Sequence, residues 1–411
     1  MVKIISKNVI IFILFLILIL LIITIILFIY KIIISINQKR IKLIKNQLRE
    51  KIYSIIKNGK KDHFDKKHYI FIMDIIVNDF YWVEDIEKQR LYEHFKRDGF
   101  INYLIKNLDS ISKRKRIKSA KTLSIIGSEE ELDAIIKSIF KRKIDEIGII
   151  AEPMFIIMSK MENIEKYYPF IKTIIENAYK LSYSNQRKIQ YFAILLGNKL
   201  SKPIIEILRN TNIVNNILFC IIILSEIATI DEIKIIEKFL DYPNAEIRAK
   251  ACRVIEKLGY ISDVKKLCSI AINDKHFYVR LRAIYALGRL NNPTCLNVLL
   301  DCLEDKFFYV RDASLNALKN YGYKIFSNLI EYYNKSQDKF AKDKIIEIFY
   351  YNDNFNILIN SYLGKVPDIS KDLSLEIFKK LSDNNKSIFT LKTLENNFYY
   401  ILKENYPELV I

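Results

Sequence analysis

The chain has 411 residues, enough for two or three ordinary domains, yet it holds only nine Gly and seven Pro, and no Pro/Ser/Gly-rich linker divides it. A net charge of +18 spread evenly would point to nucleic acid, but the first 121 residues carry +14 of it, which argues against a uniformly basic binding surface. Ile, Lys and Asn are so abundant that a single lysine is weak evidence of function.

Residues Asn8 to Tyr30 form a run of 23 without a charge. As a helix this run would be about 34 Å long, enough to cross a bilayer core with modest tilt. It is longer than the apolar core of a cleaved signal peptide and lacks a small-x-small cleavage pattern after it, so a retained anchor over 1–30 is expected. Lys3 and Lys7 precede it, whereas Lys31, Lys39, Arg40, Lys42, Lys45 and Arg49 follow. The positive-inside bias then predicts a single-pass protein of the cell membrane, with the N-terminus outside and the C-terminal bulk in the cytoplasm. The span has no Gly and no small-x-x-x-small pattern, so close dimerisation of the anchor is not encoded.

Residues 31–67 carry twelve basic and three acidic side chains. Ile41, Ile44, Leu48, Ile52 and Ile55 recur at helical spacing, while Lys39, Arg40, Lys42, Lys45, Arg49 and Lys51 fill other positions. This predicts a basic amphipathic juxtamembrane helix, either resting on anionic lipid headgroups or serving as a solvated linker. The block Lys113-Arg114-Lys115-Arg116 is either a further membrane-facing patch or a solvated helix start.

Between Asp241 and Gly322 nearly the same line occurs three times: DYPNAEIRAKACRVIEKLG, DKHFYVRLRAIYALGRLN and DKFFYVRDASLNALKNYG. Arg248, Arg280 and Arg311 fall 32 and 31 residues apart, each behind Ile or Val and eleven before Gly or Asn. Such a period, filled by two amphipathic helices per unit, predicts an all-α solenoid. Fainter copies place the residue after each second helix at Gly127, Glu162, Gly197, Ala228, Gly259, Asn291, Gly322, Asn352 and Ser382. The solenoid is therefore expected over 68–411, clearest over 198–352. Alternating apolar runs joined by Asn-Gly or Asp-Gly turns are missing from the sequence.

The acidic turn residue, the Val/Ile-Arg pair and the Ala-rich helix ending in Leu-Gly or its equivalent resemble HEAT-like repeats, particularly the short type of phycobilisome lyase-related proteins. The resemblance is specific for 241–322. It implies an Asp–Arg ladder along the stack, with Asp274 pairing with Arg280 and Asp305 with Arg311. Arg248 departs from the pattern, because Asp241 stands seven rather than six residues before it.

The turn before Val-Arg is unusual in being aromatic. It reads His276-Phe277-Tyr278 in one repeat and Phe307-Phe308-Tyr309 in the next, with Phe340 similarly placed one repeat later. Phe277, Tyr278, Phe308 and Tyr309 either cap the core between repeats or form an exposed protein-docking ridge; their solvent exposure separates the two readings. Cys220, Cys252, Cys268, Cys295 and Cys302 lack C-x-x-C spacing and read as reduced core residues, and the four scattered His imply no zinc site. Phosphate-loop, dinucleotide, nucleophile-elbow and H-E-x-x-H patterns do not occur, so neither catalysis nor a cofactor is expected.

These features predict a membrane-tethered cytoplasmic scaffold that holds a protein partner. A membrane enzyme complex, for instance one of envelope polysaccharide synthesis, is a partner class that no residue selects. The alternative is a tethered HEAT-like enzyme or nucleic-acid-binding protein. It would need an inward basic stripe through 198–352, where acids balance Lys250, Arg253, Lys257, Arg282, Arg289 and Lys319.

Overall fold

The structure, a computed structural model, describes residues 2–59, 62–80, 83–141, 144–349, 353–383, 400 and 403–404. Among these residues all regular secondary structure is helical. In chain order the α-helices are α1 (Val2–Asn58), α2 (Tyr69–Asp79), α3 (Asp85–Arg97), α4 (Phe100–Leu108), α5 (Lys113–Ile126), α6 (Leu132–Phe140), α7 (Ile144–Lys160), α8 (Tyr168–Ala178), α9 (Tyr183–Leu195) and α10 (Ser201–Asn210). They continue as α11 (Val214–Ile227), α12 (Ile233–Lys238), α13 (Ala245–Leu258), α14 (Val264–Asn273), α15 (Phe277–Leu290), α16 (Leu296–Asp301), α17 (Phe308–Lys319), α18 (Phe326–Lys335), α19 (Lys339–Phe349), α20 (Asn354–Tyr362) and α21 (Lys371–Asp383). The fold is an all-α solenoid of stacked helix pairs, and the chain divides into two compact units.

The first unit comprises residues 1–164 and 181–195. The segments expected to be anchor and juxtamembrane linker are one uninterrupted helix, because α1 contains neither Gly nor Pro to stop it. In the apolar stretch of α1, Ile11, Phe12 and the side chains from Leu14 through Ile36 are exposed. It is the one helix, among the described residues, long and apolar enough to cross a membrane. The far end behaves differently. Leu48, Ile52, Ile55 and Ile56 are buried where α1 packs against α2 and α3. Burying such side chains contributes roughly 1.5–3 kcal/mol each. Lys45 donates to Asp74 (3.1 Å) and Arg49 to Asp79 (2.6 Å), while Lys118 of α5 pairs with the other oxygen of Asp74.

The second unit comprises residues 165–180 and 196–411. Helices α11, α13, α15, α17 and α19 pack side by side in succession, and α10, α12, α14, α16 and α18 each cover the helix that follows them. Small residues set the spacing: Ala249, Ala251, Ala283, Ala286, Ala313 and Ala317 are all buried. At Gly288 a Cβ would lie 2.8 Å from Cβ of Ala317, so α15 and α17 meet too closely there for any side chain. Some of the repeat-end markers fall at helix ends. Gly259 and Asn291 cap α13 and α15 in the left-handed conformation (φ 61° and 48°), donating to Ile255 and Leu287 carbonyls. Ala228 ends α11 with extended backbone instead, and Ser382 falls inside α21. Asn352 lies outside the described residues.

Candidate protein-docking surface

The surface of the second unit is organised by the turns that open α13, α15 and α17. Each turn is folded by a side-chain oxygen accepting backbone N–H groups two residues on. Asn244 accepts from Glu246, Asp274 from His276 and Asp305 from Phe307. The arginine of the following Val/Ile-Arg pair then reaches back over the turn. Nη1 of Arg248 donates to the Tyr242 carbonyl (2.8 Å), that of Arg280 to the Asp274 carbonyl (2.7 Å) and that of Arg311 to the Asp305 carbonyl (2.6 Å).

The carboxylates are used one repeat out of the expected register. Arg248 makes a two-pronged pair with Asp274 (2.7 and 3.0 Å), and Arg280 makes one with Asp305 (2.6 and 2.9 Å). The expected pairs within a repeat, Asp274 with Arg280 and Asp305 with Arg311, are thereby corrected: within a repeat the contact is guanidinium to backbone carbonyl. The reason is directional, since one side of the guanidinium spans its own turn and the remaining N–H groups face the next repeat. Arg248, which looked irregular because of Asp241, is a full member of the ladder. Arg311 lies over the Phe340 ring, 5.2 Å from its centroid.

Burial disfavours the charge of Asp274, but the hydrogen bonds from Arg248 and the His276 N–H outweigh it and hold the carboxyl below its usual value of 3.8. A depressed folded pKa means stability that is complete above the unfolded value, about 3.9, and lost as pH falls through the folded one. Thermal melts between about pH 5 and 2 should therefore show the native chain losing stability more steeply than Asp274→Asn. Parallel slopes would refute the assignment.

The aromatic turn residues do not cap the core as a set. Tyr278, Phe308 and Tyr309 are exposed (37, 55 and 66%), and Phe340 with them at 63%. Only Phe277 is half-buried, stacked on Phe307 of the next repeat with centroids 4.7 Å apart. Tyr278, Tyr309 and Phe340 occupy equivalent places at the start of α15, α17 and α19, and they form a ladder over three consecutive repeats. The repetition of Phe-Tyr before Val-Arg revealed these rings. Tyr285, exposed on α15 with the Arg282 guanidinium 5.7 Å from its ring, carried no such signal.

Of the basic residues expected at a membrane surface, Lys39, Arg40, Lys42 and Lys51 are exposed, whereas Lys45 and Arg49 engage Asp74 and Asp79 as described above. In the Lys113–Arg116 block, Arg116 is buried and donates to the Ser110 and Ile111 carbonyls, a repeat-type arginine; Lys113 and Arg114 border a groove of about 570 Å³ between α2 and α5. All five cysteines are free thiols. Burial pushes Cys220 up and raises Cys252 and Cys302 to about 12, so these stay protonated. Cys268 and Cys295 lie 3.7 Å apart. No group of three His, Cys, Asp or Glu side chains suited to a metal ion occurs among the described residues.

The class defined by these repeats is a helical-repeat solenoid. Within it, residues 264–347 match the family model described as HEAT repeats. No curated protein matches the chain significantly. Among solved structures, an engineered protein is similar at a TM-score of 0.35 and 12% identity, over 88% of this chain and 95% of that one. A designed armadillo repeat protein is similar at 0.27 and 14%, over 54% and 100%. The karyopherin Kap121p, bound to the extreme C-terminus of the phosphatase Cdc14p, is similar at 0.36 and 12%, over 87% and 41%.

Proposed function

We propose that this chain is a membrane-tethered scaffold that docks a protein partner on the aromatic ridge opening α15, α17 and α19. The observation that carries the reading is the exposure of Tyr278, Tyr309 and Phe340 at the same repeat position, with Phe308 exposed beside Tyr309, held in place by the buried Arg–Asp ladder beneath. Exposed aromatics on a rigid row lose little side-chain entropy on binding and bury large areas, which is why such rings dominate interface energetics. The apolar, exposed stretch of α1 supports the tether, and the excess of Lys and Arg after it supports a cytoplasmic solenoid. Confining the scaffold to a membrane raises the local concentration of any partner that shares that layer. We read the protein as a binding module without catalysis of its own.

The test is affinity capture of the detergent-solubilised chain beside a variant with Phe277, Tyr278, Phe308 and Tyr309 changed to Ser, circular dichroism confirming that both fold. A partner should co-purify with the native chain and lose roughly tenfold or more in affinity with the variant, the effect expected of two or more interface anchors. A partner retained equally by both would move the docking surface elsewhere.

A further inference from the structure

The aromatic ladder has a charged neighbour that shares α15 with it. Between α13 and α15 runs a groove of about 430 Å³ lined by Ala249, Leu281 and Tyr278 on its apolar side, with Lys250, Arg253 and Arg282 converging on it. One acid, Glu246, also lines it. The two arginines have only distant acid contacts, Arg253 at 3.8 Å from Glu226 and Arg282 at 3.9 Å from Glu256. Glu226 is moreover shared with Lys257. Lys250 is half-buried and has no ion pair or hydrogen bond among the described residues. Burial first, then the positive field of Arg253 and Arg282, push its ammonium below the usual lysine range, against the opposing pull of Glu246. A chain does not gain stability from two guanidinium groups gathered around a half-buried lysine; such clusters are characteristic of places where an anion completes the charge balance.

We infer that this groove binds an acidic peptide segment of the docked partner: one or two Asp or Glu carboxylates on Lys250, Arg253 and Arg282, with an adjacent apolar or aromatic side chain against Leu281 and Tyr278. The inference rests on the protein-docking reading and deepens it, since Tyr278 belongs to both ridge and groove. A carboxylate is favoured over a nucleic-acid backbone by the surroundings. Glu246 and Glu256 stand on α13 and Glu226 on the neighbouring α11, so a continuous line of phosphates would run over acids, whereas a short acidic segment would sit between them.

The test pans a random 12-residue peptide phage library on the full-length chain in detergent, with Lys250→Met and Lys250→Arg beside it. Methionine keeps the apolar stem and removes the charge, and melting curves confirm the fold of each variant. The native chain should enrich peptides with two or more Asp or Glu next to an aromatic or aliphatic residue. Synthetic copies of these should bind Lys250→Met about tenfold more weakly, Lys250→Arg nearly as well, and all of them more weakly at high salt. Enrichment of basic peptides, or acidic peptides that bind Lys250→Met equally, would overturn the inference. So would a single-stranded oligonucleotide that outcompetes the peptides. If one of these overturning results arises while the ridge variant with Ser at the four aromatic positions still loses its captured partner, the docking reading stands and the acidic-segment inference alone falls. If the ridge variant retains that partner, the ridge reading itself has failed.

Discussion

Arg280→Ala is expected to destabilise the second unit by about 3–5 kcal/mol, enough to unfold the repeats around it. Arg280 and Asp305 are almost fully buried (side-chain exposure 6 and 11%) and are joined by two short hydrogen bonds. Truncating the arginine leaves the Asp305 carboxylate buried without its cation, and it also strips the donor from the Asp274 carbonyl. Both penalties fall on the interface between consecutive repeats. In a solenoid each repeat contacts only its neighbours, so the loss is felt as uncoupling rather than as local fraying. Chemical denaturation followed by circular dichroism would show an early, separate transition. The paired replacement Arg280→Met with Asp305→Leu should recover much of the loss, because removing both charges avoids the unpaired ion. If Arg280→Ala melts with the native chain, the ladder is ornamental.

The second large effect concerns the end of α1. A chain beginning at residue 60 should lose the first unit's cooperative fold, whereas one beginning at residue 39 should keep it and be freely soluble. Among the described side chains before residue 39, removal takes away only exposed ones. Removal through 59 also takes away Leu48, Ile52, Ile55 and Ile56, together with Lys45 and Arg49 from Asp74 and Asp79. Ile52→Ala alone should cost about 2–5 kcal/mol in the longer chain, as for other fully buried aliphatic truncations. Limited proteolysis would read out both results. Equal protease resistance of the two truncated chains would show that α1 is a passive leader.

Much of this architecture was legible in residues. The period of Arg248, Arg280 and Arg311 identified stacked helix pairs, because a repeat unit must present the same buried face each time. The helical spacing of Leu48, Ile52 and Ile55 showed an apolar face but not what covers it: a bilayer and the packed faces of α2 and α3 ask for the same side chains. The acids of residues 68–105, following so basic a segment, were the available hint, and Asp74 and Asp79 are among them. Pairing register was beyond reach for a related reason. Asp274 stands six residues before Arg280 and 26 after Arg248, and only the direction of the guanidinium decides between them. The aromatic turns were visible as a pattern. The same type of ring proved half-buried at Phe277 and open at Phe308, because Phe307 supplies a stacking partner to Phe277.

The continuity of α1 has a mechanical consequence. A flexible leash of 57 residues would let its cargo wander through a sphere whose radius grows only as the square root of its length. Helix α1 is instead a rod of roughly 85 Å, without a joint from Val2 to Asn58 and with its last turns built into the first unit. Twist or tilt imposed at one end of that rod is passed to the other as torque. A partner that turned the outer end would steer the azimuth of the first unit, and one that gripped that unit would feel the bearing in which the rod is seated.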